Sequence, residues 1–298
     1  DLLSCPIPQE GSLSTSRLRF RSASRPGDGE RASTSPVLRQ QRDEAYVLRT
    51  QELGETDLIV SLLAENHGKV RGVARAARRS RKRFGGALEP LTRVSAAWLE
   101  KEGRDLHRVE SLESRRSFAT MQSEPALQAA CAVLAELSEV FSREGQAEPR
   151  FFKLLGAALD ALERGVDPYS VIRYFEYWTL RLHGLLPDLA ACSACSEPIP
   201  AGEPLRVVAR QGILCHGCLA SSGEAARRLS AADLRFVEAA RRTPPAGLEP
   251  EATRAARPAG ALETLLRGTL ESFAERPFRT YRHLQDAVRP RGGKGGTR

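Results

Sequence analysis

The chain has 298 residues, 41% of them hydrophobic and 28% charged, and 45 basic against 37 acidic side chains give it a formal net charge of +8. That length suits about two or three domains with at least one sizeable core. No run approaches the ~18 consecutive apolar residues of a membrane span, and the opening "DLLSCPIP" has neither the basic flank nor the apolar core of an export signal, so a cytoplasmic globular protein is expected.

Residues 1–42 are rich in Ser, Arg, Gly and Pro without lasting periodicity, and are expected to be a disordered leader in which Cys5 has no role. From Glu44 the texture changes. "EAYVLRTQEL", "TDLIVSLLAE", "GKVRGVARAA", "LTRVSAAWLEKEG" and "LHRVESLES" are short alternating runs, with Asn66-His67-Gly68 as a hairpin turn. Five strands in about 75 residues predict a small closed barrel over 44–119, and the OB-fold is the commonest five-stranded barrel of this size. Between the third and fourth strands, Arg71, Arg75, Arg78, Arg79, Arg81, Lys82 and Arg83 fall within thirteen residues with no acid among them. Such a block repels itself and is expected to be mobile; it makes sense chiefly when a polyanion neutralises it, although a merely solvated charge run is the bland alternative.

Past Phe118 the period becomes helical, predicting an all-helical domain over 120–288. "EPALQAACAVLAELSEVFSRE" places Cys131 on an apolar stripe, where a packed thiol is expected. "EPRFFKLLGAALDALERG" opens at Pro149 and closes at Gly165. "DPYSVIRYFEYWTLRLHGLLP" has Asp167 as N-cap and an aromatic stripe of Tyr174, Phe175 and Trp178, which reads as core rather than as a stacking surface for bases. After the segment described next, "LSAADLRFVEAARRT", capped by Ser230, and "AGALETLLRGTLESFAERPFRTYRHLQDA" return to helix, and 289–298 is a flexible basic tail.

Within the helical region, over 189–222, "CSAC" and "CHGC" set Cys192, Cys195, Cys215 and Cys218 as two knuckles of identical spacing joined by a hairpin-like stretch with a turn at Gln211-Gly212. Two C-x2-C pairs about 15–20 residues apart complete the S4 shell that Zn2+ favours, and a ribbon this small needs a metal for stability. Two disulfides, a redox pair and unliganded thiols are the competing readings; His216 could replace one cysteine as ligand. Four thiolates leave no open position for water or substrate, so the ion is expected to be structural. The chain has no G-x-x-x-x-G-K-[ST], since Leu63 and Val70 flank Gly68-Lys69 at the wrong places; no G-x-S-x-G; no H-E-x-x-H; and no compact acidic cluster for Mg2+. None of its five histidines begins the H-x-E of a zinc deaminase. No enzyme and no nucleotide cofactor are expected.

The fold class that emerges is α+β multidomain: an N-terminal five-stranded OB-fold barrel, then an all-helical domain with an inserted four-cysteine zinc ribbon. Residues 44 to 81 open with an apolar strand and a Gly-Glu-x-Asp turn (Gly54, Glu55, Asp57), then a Gly-x-x-x-x-x-x-Ser-Arg run; "ALEPLTRV" continues them and "HGLLPDLAACSAC" leads into the ribbon. In this order and spacing, from 44 to about 288, the chain resembles the bacterial recombination mediator RecO family. The resemblance implies a non-enzymatic, cytoplasmic and nucleoid-associated DNA repair protein that binds single- and double-stranded DNA and anneals complementary strands. It also implies association with RecR and help in loading RecA onto DNA coated by single-stranded-DNA-binding protein, whose acidic tail would dock on the helical domain. The family's DNA-contacting cations carry over onto the seven basic residues named above. An RNA-binding or translation-associated OB-fold protein is the alternative, because OB barrels and zinc ribbons serve RNA equally well.

Overall fold

The computed structural model describes residues 38–101, 106–248 and 260–288. Most of the expected leader and the whole basic tail lie outside them. Five strands, β1 (Leu38–Leu53), β2 (Asp57–Ala64), β3 (Gly68–Ala74), β4 (Arg93–Lys101) and β5 (His107–Arg116), close into a barrel in the order β1-β2-β3-β5-β4, the OB-fold topology. All neighbours are antiparallel except β3 and β5, which run parallel at Gly72–Ala74. Alternation does the sorting. Ala45 and Val47 point into the barrel with Val60, Leu62, Val94 and Trp98, whereas Tyr46, Leu48 and Leu63 point out and join the core of the helical domain.

One expectation fails at the first strand. β1 begins at Leu38, inside the segment read as a disordered leader, because residues Leu38–Tyr46 pair in unbroken register with Arg93–Lys101 of β4. The ordering comes from backbone pairing, which the polar run Arg39–Arg42 does not advertise.

The helical domain follows a 3-10 turn at Ala119–Ser123 and contains α2 (Pro125–Phe141), α3 (Pro149–Glu163) and α4 (Pro168–Leu182); a four-residue helix, α1 (Arg81–Phe84), lies earlier, in the β3–β4 loop. α4 starts as expected, with the Asp167 carboxylate accepting from the Ser170 amide at 2.9 Å. Tyr174 and Phe175 are buried, and half-buried Trp178 donates from Nε1 to the Ala240 carbonyl, so the aromatic stripe is core. The inserted ribbon contributes β6 (Arg206–Val208), β7 (Gly212–Leu214), α5 (His216–Ser222) and β8 (Arg227–Arg228), in the sheet order β7-β6-β8. Its third strand lies past residue 222, where the ribbon was expected to end. The helices resume with α6 (Ala231–Arg242), held by a capping box between Ser230 and Asp233, then α7 (Ala261–Phe273) and α8 (Thr280–Val288).

Barrel and helices are joined along a seam. The β2–β3 turn is pinned by buried Asp43, which accepts from the Asn66 amide (2.7 Å), Asn66 Nδ2 (2.9 Å) and faces His67 Nδ1 (2.8 Å). Beyond that turn the edge of β3 pairs with the α2–α3 loop: the Lys69 amide donates to the Arg143 carbonyl and the Gly145 amide to the Lys69 carbonyl. Gly68 is required here, since it has φ +65° and an added Cβ would lie 1.9 Å from the Gln146 carbonyl oxygen.

Candidate nucleic-acid interface and metal centre

The β3–β4 loop leaves the barrel at Ala74 and is fixed at both ends. Asp57 Oδ1 accepts from the Ala76 amide at 2.8 Å and from Thr56 Oγ1 at 3.0 Å, and these bonds, the amide first, hold its carboxyl below the ordinary carboxylate value. Ala77, Phe84 and Ala87 plug the loop into the barrel core. The loop is therefore anchored and carries a helix, in contrast to the expected mobile run. Its cations fall into separate roles. Arg83 is structural: Nε donates to Ser80 Oγ, Nη2 donates to the Arg75 carbonyl, and the guanidinium lies over the Phe84 ring. Arg71 belongs to β3 and stands 3.8 Å from Glu144; Arg78 is 3.4 Å from Glu52. Both pairs are exposed, so each holds its arginine weakly. Arg75 and Arg79 are exposed and have no ion-pair partner among the described residues. Arg81 and Lys82 belong to the α1 backbone, and their side chains lie outside the described residues.

In the ribbon, the Sγ atoms of Cys192, Cys195, Cys215 and Cys218 all lie within 4.8 Å of one another, and Cys195 and Cys215 are 3.9 Å apart. Tetrahedral bonds of about 2.3 Å to zinc would place sulfurs about 3.8 Å apart, so the donor set fits such an ion. The knuckle amides aim at the sulfurs, Cys215 N at Cys192 Sγ (3.3 Å) and Cys218 N at Cys215 Sγ (3.5 Å). Burial works to raise the Cys192 thiol, but the amides of Cys215, Cys195 and Ala194 outweigh it and bring it to about 6, while the neighbouring thiols Cys195, Cys215 and Cys192 push Cys218 up to about 12. Four thiols this close cannot all ionise unless a cation sits among them. His216 is not part of the cluster.

A groove of about 590 Å3 opens between β1, α2 and the start of α8. Leu48, Pro90, Cys131, Ala132 and Ala135 give it an apolar floor, and its charged lining is Arg49, Arg276 and Arg279 with Glu136 and Glu139, of which Glu136 pairs with Arg276 at 3.2 Å. Cys131 is thus half-packed and half groove wall, and burial pushes its thiol up to about 11.

Comparison with known proteins decides what these features belong to. The family model for the N-terminal region of recombination protein O matches residues 38–118, and that for its C-terminal region matches 122–281. The chain belongs to the RecO family. The DNA repair protein RecO of Anaeromyxobacter sp. (strain K) is 42% identical over 173 residues, 58% of this chain and 68% of the relative. That of Geobacter sulfurreducens is 34% identical over 253 residues, 82% of this chain and 97% of the relative. That of Bifidobacterium longum (strain DJO10A) is 34% identical over 177 residues, 58% of this chain and 72% of the relative.

As a DNA repair protein of the RecO family, the chain pairs an OB barrel with a helical domain, and the N-terminal match starts at Leu38, where β1 starts. Among the described residues no helix is long and apolar enough to cross a membrane. The groove residues Arg49, Arg276 and Arg279 escaped the sequence reading of this RecO-family chain. Arg276 and Arg279 lie three positions apart just before α8, but Arg49 is more than two hundred residues away and only tertiary packing brings it to the same groove.

Proposed function

We propose that this chain is a non-enzymatic recombination mediator. It binds single- and double-stranded DNA through the anchored β3–β4 loop, anneals complementary strands, and with RecR helps load RecA onto single strands coated by single-stranded-DNA-binding protein. The observation that carries the reading is exposed Arg75 and Arg79, with no ion pair among the described residues, beside weakly held Arg71 and Arg78 on an OB barrel of a RecO-family chain. Arg81 and Lys82 extend the same run, and Arg83 holds the loop's shape. Cations on a fixed surface screen the repulsion between two phosphate backbones, after which base pairing supplies the free energy without any hydrolysis.

The groove between α2 and α8 suits the acidic tail of the coating protein, since Arg49 and Arg279 line it with no ion pair among the described residues and can take up acidic groups beside its apolar floor. The ribbon holds a structural Zn2+ on Cys192, Cys195, Cys215 and Cys218, which fixes two knuckles and the hairpin between them. The protein works in the cytoplasm, at the nucleoid.

The test is annealing of fluorescent complementary strands, naked and coated. The expected result is annealing faster than spontaneous, indifferent to ATP and suppressed by salt; removing the coating protein's tail, or filling the groove by Ala135→Phe, slows coated strands only. Equal response of coated and naked strands would overturn the docking assignment, and no acceleration of naked strands would overturn the annealing reading.

A further inference from the structure

A second groove, of about 500 Å3, lies along the seam between Tyr46 of β1, the start of β4, the end of β5 and α3. Tyr46 reaches into it from the outer face of β1. Its side chain is 4% exposed, its ring packs against Phe152 with centroids 4.8 Å apart, and its hydroxyl rests against Gly156, where an added Cβ would come within 2.8 Å. Among the described residues this hydroxyl has no hydrogen-bond partner. Burial holds the phenol above its ordinary pKa, so at neutral pH it remains a donor.

The charged groups around it are unevenly spent. Arg116 is taken by Asp160 (2.6 Å) and Glu163, and Glu44 is shared by Arg93 Nε (3.1 Å) and Arg115 Nε (3.6 Å). What remains is the terminal edge of Arg93, whose guanidinium lies over the Phe152 ring; the exposed ammonium of Lys153; the Tyr46 hydroxyl; and the carboxylate of Glu65, which has no ion pair among the described residues. Beside them runs a low apolar strip, Gly156, Ala157 and Pro244. A bare anion would face Glu65, and an apolar peptide would leave the Tyr46 donor and two cations without acceptors. A nucleotide offers an anionic phosphate, a flat apolar face and base-edge N–H donors in one ligand.

We propose that this groove is a nucleotide subsite, in which phosphate meets Lys153 and Arg93, the base lies along the Gly156–Ala157 strip, and Tyr46 and Glu65 bond to its polar edge. As a subsite for one unit of a bound single strand it rests on the DNA-binding reading above. It lies about 20 Å along β1 from Glu52, where Arg78 anchors, at ~3.3 Å per residue. That separation lets one strand engage both places.

The experiment uses the full chain and a sixteen-nucleotide strand carrying photoreactive 4-thiothymidine. Cross-links are expected within α3, between Phe152 and Ala157. Lys153→Glu, an exposed change, and Ala157→Trp, which fills the strip, should each abolish those cross-links and weaken binding about 5- to 10-fold, the share of one stacked base. Arg75→Ala with Arg79→Ala should weaken binding yet leave the α3 cross-links in the fraction that binds. Binding that depends on the loop while α3 is never cross-linked overturns the subsite and leaves the DNA-binding reading standing. If the chain binds no strand at all, that reading falls, and equilibrium dialysis with thymidine monophosphate decides the groove by itself. Uptake by the wild type that is lost in Lys153→Glu sustains a site for free nucleotide; no uptake overturns it.

Discussion

Arg173 and Glu176 lie one turn apart on α4 with side chains 1% and 0% exposed, and their charged atoms are 2.7 Å apart. The contact is an ion pair without hydrogen-bond alignment, for none of the three guanidinium nitrogens has a hydrogen-bond partner. Glu176 in addition accepts from the Tyr281 hydroxyl of α8, and Arg267 lies over the Tyr281 ring, so α4, α7 and α8 meet on buried charge. Removing one partner leaves the other uncompensated, and Arg173→Met should lower stability by about 3–5 kcal/mol, whereas adding Glu176→Leu should return most of it. Urea unfolding of the two variants checks this; equal loss in both would mean that the charges do not act as a pair. Asp57 makes a different case, half-buried and acting through geometry. Its depressed carboxyl stabilises the loop anchor fully above the ordinary value of 3.8, and the contribution is lost as pH falls through the lower folded value. Amide exchange should show the Ala76 amide protected in the wild type at pH 6, progressively released below pH 3.8, and unprotected at both in Asp57→Ala.

Among the elements, the ribbon has the least apolar support. Val207 and Ile213 join the helical core on one face, and on the other Val208 and Leu214, flanked by half-buried Leu219, pack with Cys192. Four thiols have no better partner than a metal, so about one zinc per chain is expected, with Cys192→Ser or Cys215→Ser lowering thermal stability and solubility. Metal analysis that returns no zinc from protein purified under reducing conditions would sink this. The ribbon was legible in the sequence because its ligands are local, two pairs whose spacing alone defines the site. β8 was not, because Arg227 and Arg228 become a strand only by pairing with the free edge of β6. The same holds for Leu38–Arg42 on β4, and for the α2–α3 loop, where Lys69 donates to the Arg143 carbonyl and accepts from the Gly145 amide across more than seventy positions in a way no side-chain pattern records. Helices and barrel strands were legible for the opposite reason: their apolar periods of about 3.6 and 2 reflect burial, which side chains do record.

For the molecule as a whole, the described cations of the sequence block divide by geometry into Arg71, Arg75, Arg78 and Arg79, which reach solvent, and Arg83, which holds the loop together. Only the first kind can release counterions when DNA binds, and each phosphate contact contributes about 0.7 unit to the log–log salt slope for a single strand. Replacing Arg75, Arg78 and Arg79 by alanine should therefore flatten the slope by about two units for any sequence, so that raising salt from about 50 to 200 mM costs the variant roughly twenty-fold less affinity than it costs the wild type. Arg83→Ala should behave differently. It removes the bonds to Ser80 and the Arg75 carbonyl and the contact with Phe84, so the expected outcome is faster amide exchange over Ala76–Phe84 with a slope close to that of the wild type. Fluorescence anisotropy across a salt series reads both. An unchanged slope in the triple variant would assign the loop to something other than nucleic acid. A slope that falls as far in Arg83→Ala would mean that the loop's cations act as one diffuse charge and that its anchored shape does not select which of them meet the backbone.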